Sequence, residues 1–134
     1  ASCDQRAKHQ ERMAQMEWLS VFTPEAAQRL AENHKEQLPL KGTRLENDYE
    51  PVCKLFLPWT AGTWLLTEMD DDGLAFGLCD IGHGMPEIGY VSMDEIYAVK
   101  GPGGLRVEQD LHWKAQHTLS EYAAQARSAG YIRA

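Results

Sequence analysis

Three groups of residues carry side chains able to do chemistry. Asp70, Asp71 and Asp72 stand in a row before Gly73, and consecutive carboxylates are hard oxygen donors of the kind that cations prefer. An EF-hand alternates its ligands along a longer loop that ends on a glutamate, a spacing absent here, whereas Asp-Gly is also what a tight hairpin turn requires. The turn is the preferred reading, and no metal is expected. Cys79, Asp80 and His83 lie within five residues beside Gly82 and Gly84, a grouping that could serve a nucleophile or a metal. A structural zinc site needs four ligands, however, and His9, His34, His112 and His117 lack paired spacing. A glycine-rich strand connection explains the same residues. Glu68, Glu87, Glu108 and Asp110 fall at or near the ends of predicted strands, where two carboxylates could face each other as acid and base. With a histidine nearby, they make Glu68, Glu87, Glu108, His83 and His112 the candidate catalytic groups. Trp59, Trp64 and Trp113 could stack on bases, but such platforms also need a cationic groove, and core packing is the default role of these rings. No phosphate-binding glycine loop, dinucleotide fingerprint, zinc-protease helix or nucleophile elbow occurs.

Charge is distributed unevenly. The chain of 134 residues has a net charge of -7, and between Lys54 and Lys100 there is no lysine or arginine at all. Glu68, Asp70, Asp71, Asp72, Asp80, Glu87, Asp94 and Glu95 all fall in that interval. The plain reading is a solubilising face. The functional reading is a coherent anionic surface for a basic protein partner, with Asp70, Asp71, Asp72, Asp80, Glu87, Asp94 and Glu95 as its binding residues. The same balance disfavours nucleic-acid backbone and anionic lipid as partners. Cys3, Cys53 and Cys79 are odd in number and form no C-x-x-C pair, as in a cytoplasmic protein with reduced thiols. The polar N-terminal residues show no signal-peptide pattern, and no stretch is apolar enough for a membrane span. A cytoplasmic location, no cofactor and no membrane contact are therefore expected, with the oligomeric state left open.

These residues must be positioned by a mixed set of elements. Residues 4–20 are rich in helix formers. Thr23-Pro24 is a hydroxyl cap followed by a first-turn proline, opening a second helix that must stop before Pro39. Residues 39–50 have no period and read as a connecting loop. PVCKLFL, TWLLTEM, LAFGLCDI and EIGYVS then read as strands, separated by connections too short for crossover helices, so neighbours pair antiparallel. Ser92 to Glu95 and Thr118 to Glu121 have the capping-box spacing of two later helices. Between them, LRVEQDLHW predicts one or two short strands. The class is α+β: an antiparallel meander of about four to six short strands, with helices packed on one face and two N-terminal helices. Residues 1–134 form one domain in this reading, with residues 1–20 as a helical appendage to a core over 23–130.

The segments Thr63-Trp64-Leu65 with Thr67-Glu68, Phe76-Gly77-Leu78, Glu87 through Ser92, and Glu108 to Trp113 follow one another with the spacing of a known family. From about Thr23 to about Gly130 the chain resembles domain-of-unknown-function family 2958. The resemblance implies a short bacterial cytosolic protein of the kind carried by plasmids, phages and integrative elements, and it supplies no activity, cofactor or catalytic residue. Three functions are expected in order. The first is a non-catalytic interaction protein of a mobile element that binds a basic, nucleic-acid-handling or defence-related protein. The second is a hydrolase using the strand-end carboxylates with a nearby histidine. The third is a nucleic-acid-binding accessory protein using Lys35, Lys41, Arg44, Lys54, Arg127 and Arg133.

Overall fold

The computed structural model describes residues 5–8 and 16–134. Four of the five strands form where the sequence places them: β1 (Cys53–Phe56), β2 (Thr63–Met69), β3 (Leu74–Asp80) and β4 (Glu87–Ser92). A two-residue β5 (Glu108–Gln109) completes one antiparallel sheet in the order β4-β3-β2-β1-β5. Only those two residues of the LRVEQDLHW stretch become strand. Asp110 turns the chain away by accepting the N–H of His112 at 3.0 Å.

The helices follow their caps. α1 (Pro24–Gln37) starts with the Thr23 side chain accepting the N–H of Ala26. α2 (Met93–Ala98) starts on Ser92, and α3 (Leu119–Ala129) on Thr118, whose N–H is taken by Glu121. Of the helix expected over residues 4–20, residues 5–8 are helical and Glu17–Val21 form a 3-10 helix, while 9–15 lie outside the described residues.

Apolar side chains are buried on both faces of the sheet. On one face, Trp18, Phe22 and Leu30 meet Leu55, Trp64, Leu66 and Ala75, with Met93 and Ile96 of α2 closing the layer. The expected helical layer is thus joined by a second one, because α3 lays Leu119, Tyr122, Ala123 and Ala126 on Leu65 and Leu78 of the opposite face. Gly77, the register partner of Leu66, lets β3 lie close against β2: a Cβ there would sit 1.9 Å from the Leu65 carbonyl oxygen.

One irregularity decides where a carboxylate points. Strand side chains alternate, so Trp64, Leu66 and Glu68 would all face the first core in a regular strand. A β-bulge between Leu66 and Glu68 breaks the alternation. Leu66 and Met69 both stay in the first core, and Glu68 pairs with Phe76 on the face occupied by Leu78. The bulge frees the Thr67 carbonyl, which accepts the side-chain amide of buried Asn33 at 3.0 Å. Helix α1 therefore stitches the bulge in place.

Candidate functional site

The residues brought together on the second face are Glu68, Phe76 and Tyr90, with Lys41 over them. Phe76 and Tyr90 are register partners on β3 and β4, and their rings meet edge to face at 5.0 Å. The Lys41 ammonium stands 3.4 Å above the Phe76 centroid, 5.3 Å from that of Tyr90 and 3.2 Å from Glu68 Oε2. Glu68 is 4% exposed, and a carboxylate so deeply buried requires a compensating cation. Lysine supplies it here, and the ring faces add the attraction of their quadrupoles.

Lys41 reaches this position because the 39–50 segment is an ordered strap. Gln37 is 1% exposed and exchanges two hydrogen bonds with the Asn47 backbone, at 2.8 and 2.9 Å, as a strand residue would. Gly42 adopts φ +77, and its N–H is taken by Glu46 at 2.6 Å. At the far end Asp48 caps α3, accepting the N–H of Ser120 at 3.1 Å and also its hydroxyl. Partial burial pushes against it, yet the Ser120 hydroxyl and N–H hold the Asp48 carboxyl below its ordinary value. Tyr49 donates to Glu36 at 2.5 Å. Burial first, and then the Glu36 carboxylate, push its phenol up to about 12.

Under the strap lies a cavity of about 350 Å³ bordered by Asn47, Tyr49, Glu68, Phe76 and Ile88. Ile88, 40% exposed, borders it, and the Tyr90 ring, 56% exposed, stands beside Phe76. Glu46, Asp48 and Glu68 all border the cavity, three carboxylates against the one Lys41 ammonium on Glu68. Such an arrangement can hold an ammonium or guanidinium group. Among its hydroxyl groups, Tyr49 stays protonated and Ser120 donates to Asp48.

The other residues singled out by sequence lie apart. Asp70, Asp71 and Asp72 form the β2–β3 turn, where the Asp70 carboxylate accepts the N–H groups of Asp72 and Leu74 at 2.9 Å. Exposed Asp94 and Glu95 begin α2 at the same end of the sheet, because Met93 N–H bonds the Gly73 carbonyl at 2.9 Å. Asp80 is 3% exposed and directed inward, accepting the N–H groups of Gly82 at 2.8 Å and Ile132 at 3.0 Å. The anionic interval therefore supplies an outer group at one end, two buried anchors (Glu68 and Asp80), and exposed Glu87 at the other end.

The strand-end carboxylates do not meet. Glu87 pairs with Cys79 on the face opposite Glu68, and Glu108 sits on β5, across the sheet from β4. Four strand spacings separate those edge strands, roughly 19 Å. His83 is exposed in the β3–β4 connection, and His112 follows β5. The Cys79 thiol is pushed up to about 11 by burial and then by Glu87, and burial alone pushes Cys53 to about 12, so neither is an activated nucleophile. Among the described residues, no group of three His, Cys, Asp or Glu could hold a metal. Three of the basic residues take separate places: Lys41 pairs with Glu68, Lys35 borders a depression with the Asp70 to Asp72 turn, and Lys54 bonds the Ala134 carbonyl. No helix among the described residues is long and apolar enough to cross a membrane.

Fold and site together define an open antiparallel α+β protein with a carboxylate–aromatic pocket on its strap-covered face. Residues 21–133 match the model of the family described as Protein of unknown function (DUF2958), and the chain belongs to that family. No curated protein and no solved structure matches it.

Proposed function

We propose that this protein is a non-catalytic binding module that engages a protein partner through a lysine or arginine seated on Glu68, Phe76 and Tyr90. One observation carries the reading: Lys41 already fills that place, 3.4 Å over the Phe76 centroid and 3.2 Å from Glu68. A buried carboxylate beside an aromatic pair matches a cationic side chain in charge and in shape. Lys41 enters on a strap beside Gly42, and its side chain is 26% exposed. It can withdraw as a partner's cation arrives, with the Glu68 charge compensated throughout.

Exposed Tyr90 and Ile88 provide apolar contact around the charge. β4 is the last strand of the sheet, so its outer edge is open to an extended segment. Exposed Asp71, Asp94 and Glu95 add long-range attraction for a basic surface, which acts on encounter rate more than on final affinity. The cytoplasmic and mobile-element setting implied by the family resemblance belongs to the same proposal, with a basic nucleic-acid-handling protein as partner.

The test is calorimetric titration of the full chain with a panel of extended peptides carrying lysine or arginine between apolar residues. Binding should weaken as salt rises, and it should fall about tenfold or more in Tyr90→Ala, the scale expected for an aromatic anchor. A panel with no binder at low salt, or one bound equally by Tyr90→Ala, would refute the proposal.

A further inference from the structure

A second cleft, of about 760 Å³, opens between residues 112–117, α3 and the segment that follows α3. Its lining inverts the character of the chain. The protein has 20 acidic and 13 basic residues, yet Lys114, Arg133, His112 and His117 line this cleft, and no aspartate or glutamate does. Lys54 reaches the same rim through its 2.8 Å bond to the Ala134 carbonyl. Asp110 and Asp80 approach the cleft through the N–H groups of His112 and Ile132 that they accept, each at 3.0 Å, and Glu121 stands 3.6 Å from His117 on the rim. That group already accepts the Thr118 N–H at 3.1 Å and its hydroxyl at 2.9 Å.

The cleft is preformed. On one wall Gln116 N–H bonds the Tyr122 hydroxyl at 2.9 Å, and Trp113 and His117 pack on the Tyr122 ring at 5.9 and 5.3 Å. On the other wall Ile132 N–H is anchored by buried Asp80 at 3.0 Å, which fixes Tyr131 and Arg133 beside α3. Asp80 thus acquires a purpose that its place in the anionic interval concealed: it aims a basic segment.

We propose that this cleft binds a phosphate monoester carried on a flat ring, a ligand of mononucleotide size. Arg133 and Lys114 match the phosphate, because a guanidinium and an ammonium give it charge-assisted hydrogen bonds. Tyr131, 56% exposed, and half-buried Trp113 offer ring faces for stacking. The volume lies within the range of small-ligand sites. A longer polynucleotide is disfavoured, since its backbone would leave this short basic patch for the surface of a protein with net charge -7.

The experiment is calorimetric titration of the full chain with each of the four common nucleoside monophosphates, with the free nucleoside, inorganic phosphate and a short oligonucleotide as separate arms. At least one monophosphate should bind about tenfold more tightly than its nucleoside or phosphate alone. Arg133→Gln and Lys114→Gln should each weaken it about tenfold, the scale of a lost charged hydrogen bond. Tyr131→Ala should weaken the monophosphate and leave phosphate unchanged. Arg133, Lys114 and Tyr131 are exposed, and circular dichroism melts will check that the variants fold. Three results would overturn the proposal: no heat from any monophosphate at millimolar concentration, equal affinity in Arg133→Gln and Lys114→Gln, or binding that strengthens with oligonucleotide length.

Discussion

Replacing Lys41 by methionine keeps most of the apolar stem and removes the ammonium that stands over Phe76. The variant leaves Glu68, 4% exposed, without its lysine. Breaking a fully buried pair from one side costs about 3–5 kcal/mol. The Lys41 side chain is 26% exposed, so water reaches this pair and roughly half that value is expected, ~2 kcal/mol. Loss of the ring contact at 3.4 Å adds ~0.5–1 kcal/mol. At this chain length the sum corresponds to a fall in Tm of roughly 8–10 °C. Urea and thermal denaturation followed by far-UV circular dichroism read it directly. The double variant Lys41→Met, Glu68→Met removes both charges and should recover most of the loss, since no unpaired carboxylate remains. A single variant within ~0.5 kcal/mol of wild type, or a double variant no better than the single, would refute the view that Glu68 is buried against Lys41.

Four other perturbations test the framework that positions the site. Asn33→Ala strips the bulge carbonyl of Thr67 of its donor and should cost about 1–2 kcal/mol in urea denaturation. Gly77→Ala puts a methyl 1.9 Å from the Leu65 oxygen, and about 3 kcal/mol or outright misfolding is expected in a thermal melt. Asp48→Ala removes the acceptor of the Ser120 N–H, one of two caps on α3, and should cost about 1 kcal/mol near neutrality. The Asp48 pKa is lowered in the fold, so its contribution is fully present above the unfolded value and is lost as pH falls through the folded one. The difference between wild type and variant should therefore close only in strong acid, as pH-dependent melts will show. With Cys3 replaced by serine, Cys53 and Cys79 should resist a thiol reagent at mildly alkaline pH until denaturant is added, because their thiols are held at about 12 and 11.

The strands and caps were legible because each has a local cause. Thr23-Pro24 and the spacing of Thr118 and Glu121 specify helix starts within a few residues, and Asp-Gly and His-Gly punctuation separates β2, β3 and β4. The anionic interval was legible as composition, but its geometry was not. Glu68 and Asp80 lie inside it and are both buried. What turned Glu68 onto the Phe76 face was a bulge held by Asn33 from a distant helix, and no period in the strand announces that. In the sequence the strap looks like a connecting loop for a related reason. Gln37, Asn47, Asp48 and Tyr49 make side-chain bonds to remote backbone groups, and hydrophobic periodicity is blind to such bonds. A dense polar run with no period and few glycines was the available hint. Helix α3 on the second face was concealed because Leu65 and Leu78 are separated by a turn and the register of β2 on β3 sets their alignment.

The claim at the centre of this account is that the Glu68 pocket is built for a cation and that Lys41 holds the place of a partner's. Aromatic-ring NMR during titration with a lysine-bearing peptide tests it most directly. In Lys41→Met the Phe76 and Tyr90 resonances should shift progressively and saturate at lower peptide concentration than in wild type, and Glu68→Met should abolish the shifts. Rings that stay unmoved in Lys41→Met, or a variant that binds no more tightly than wild type, would contradict it.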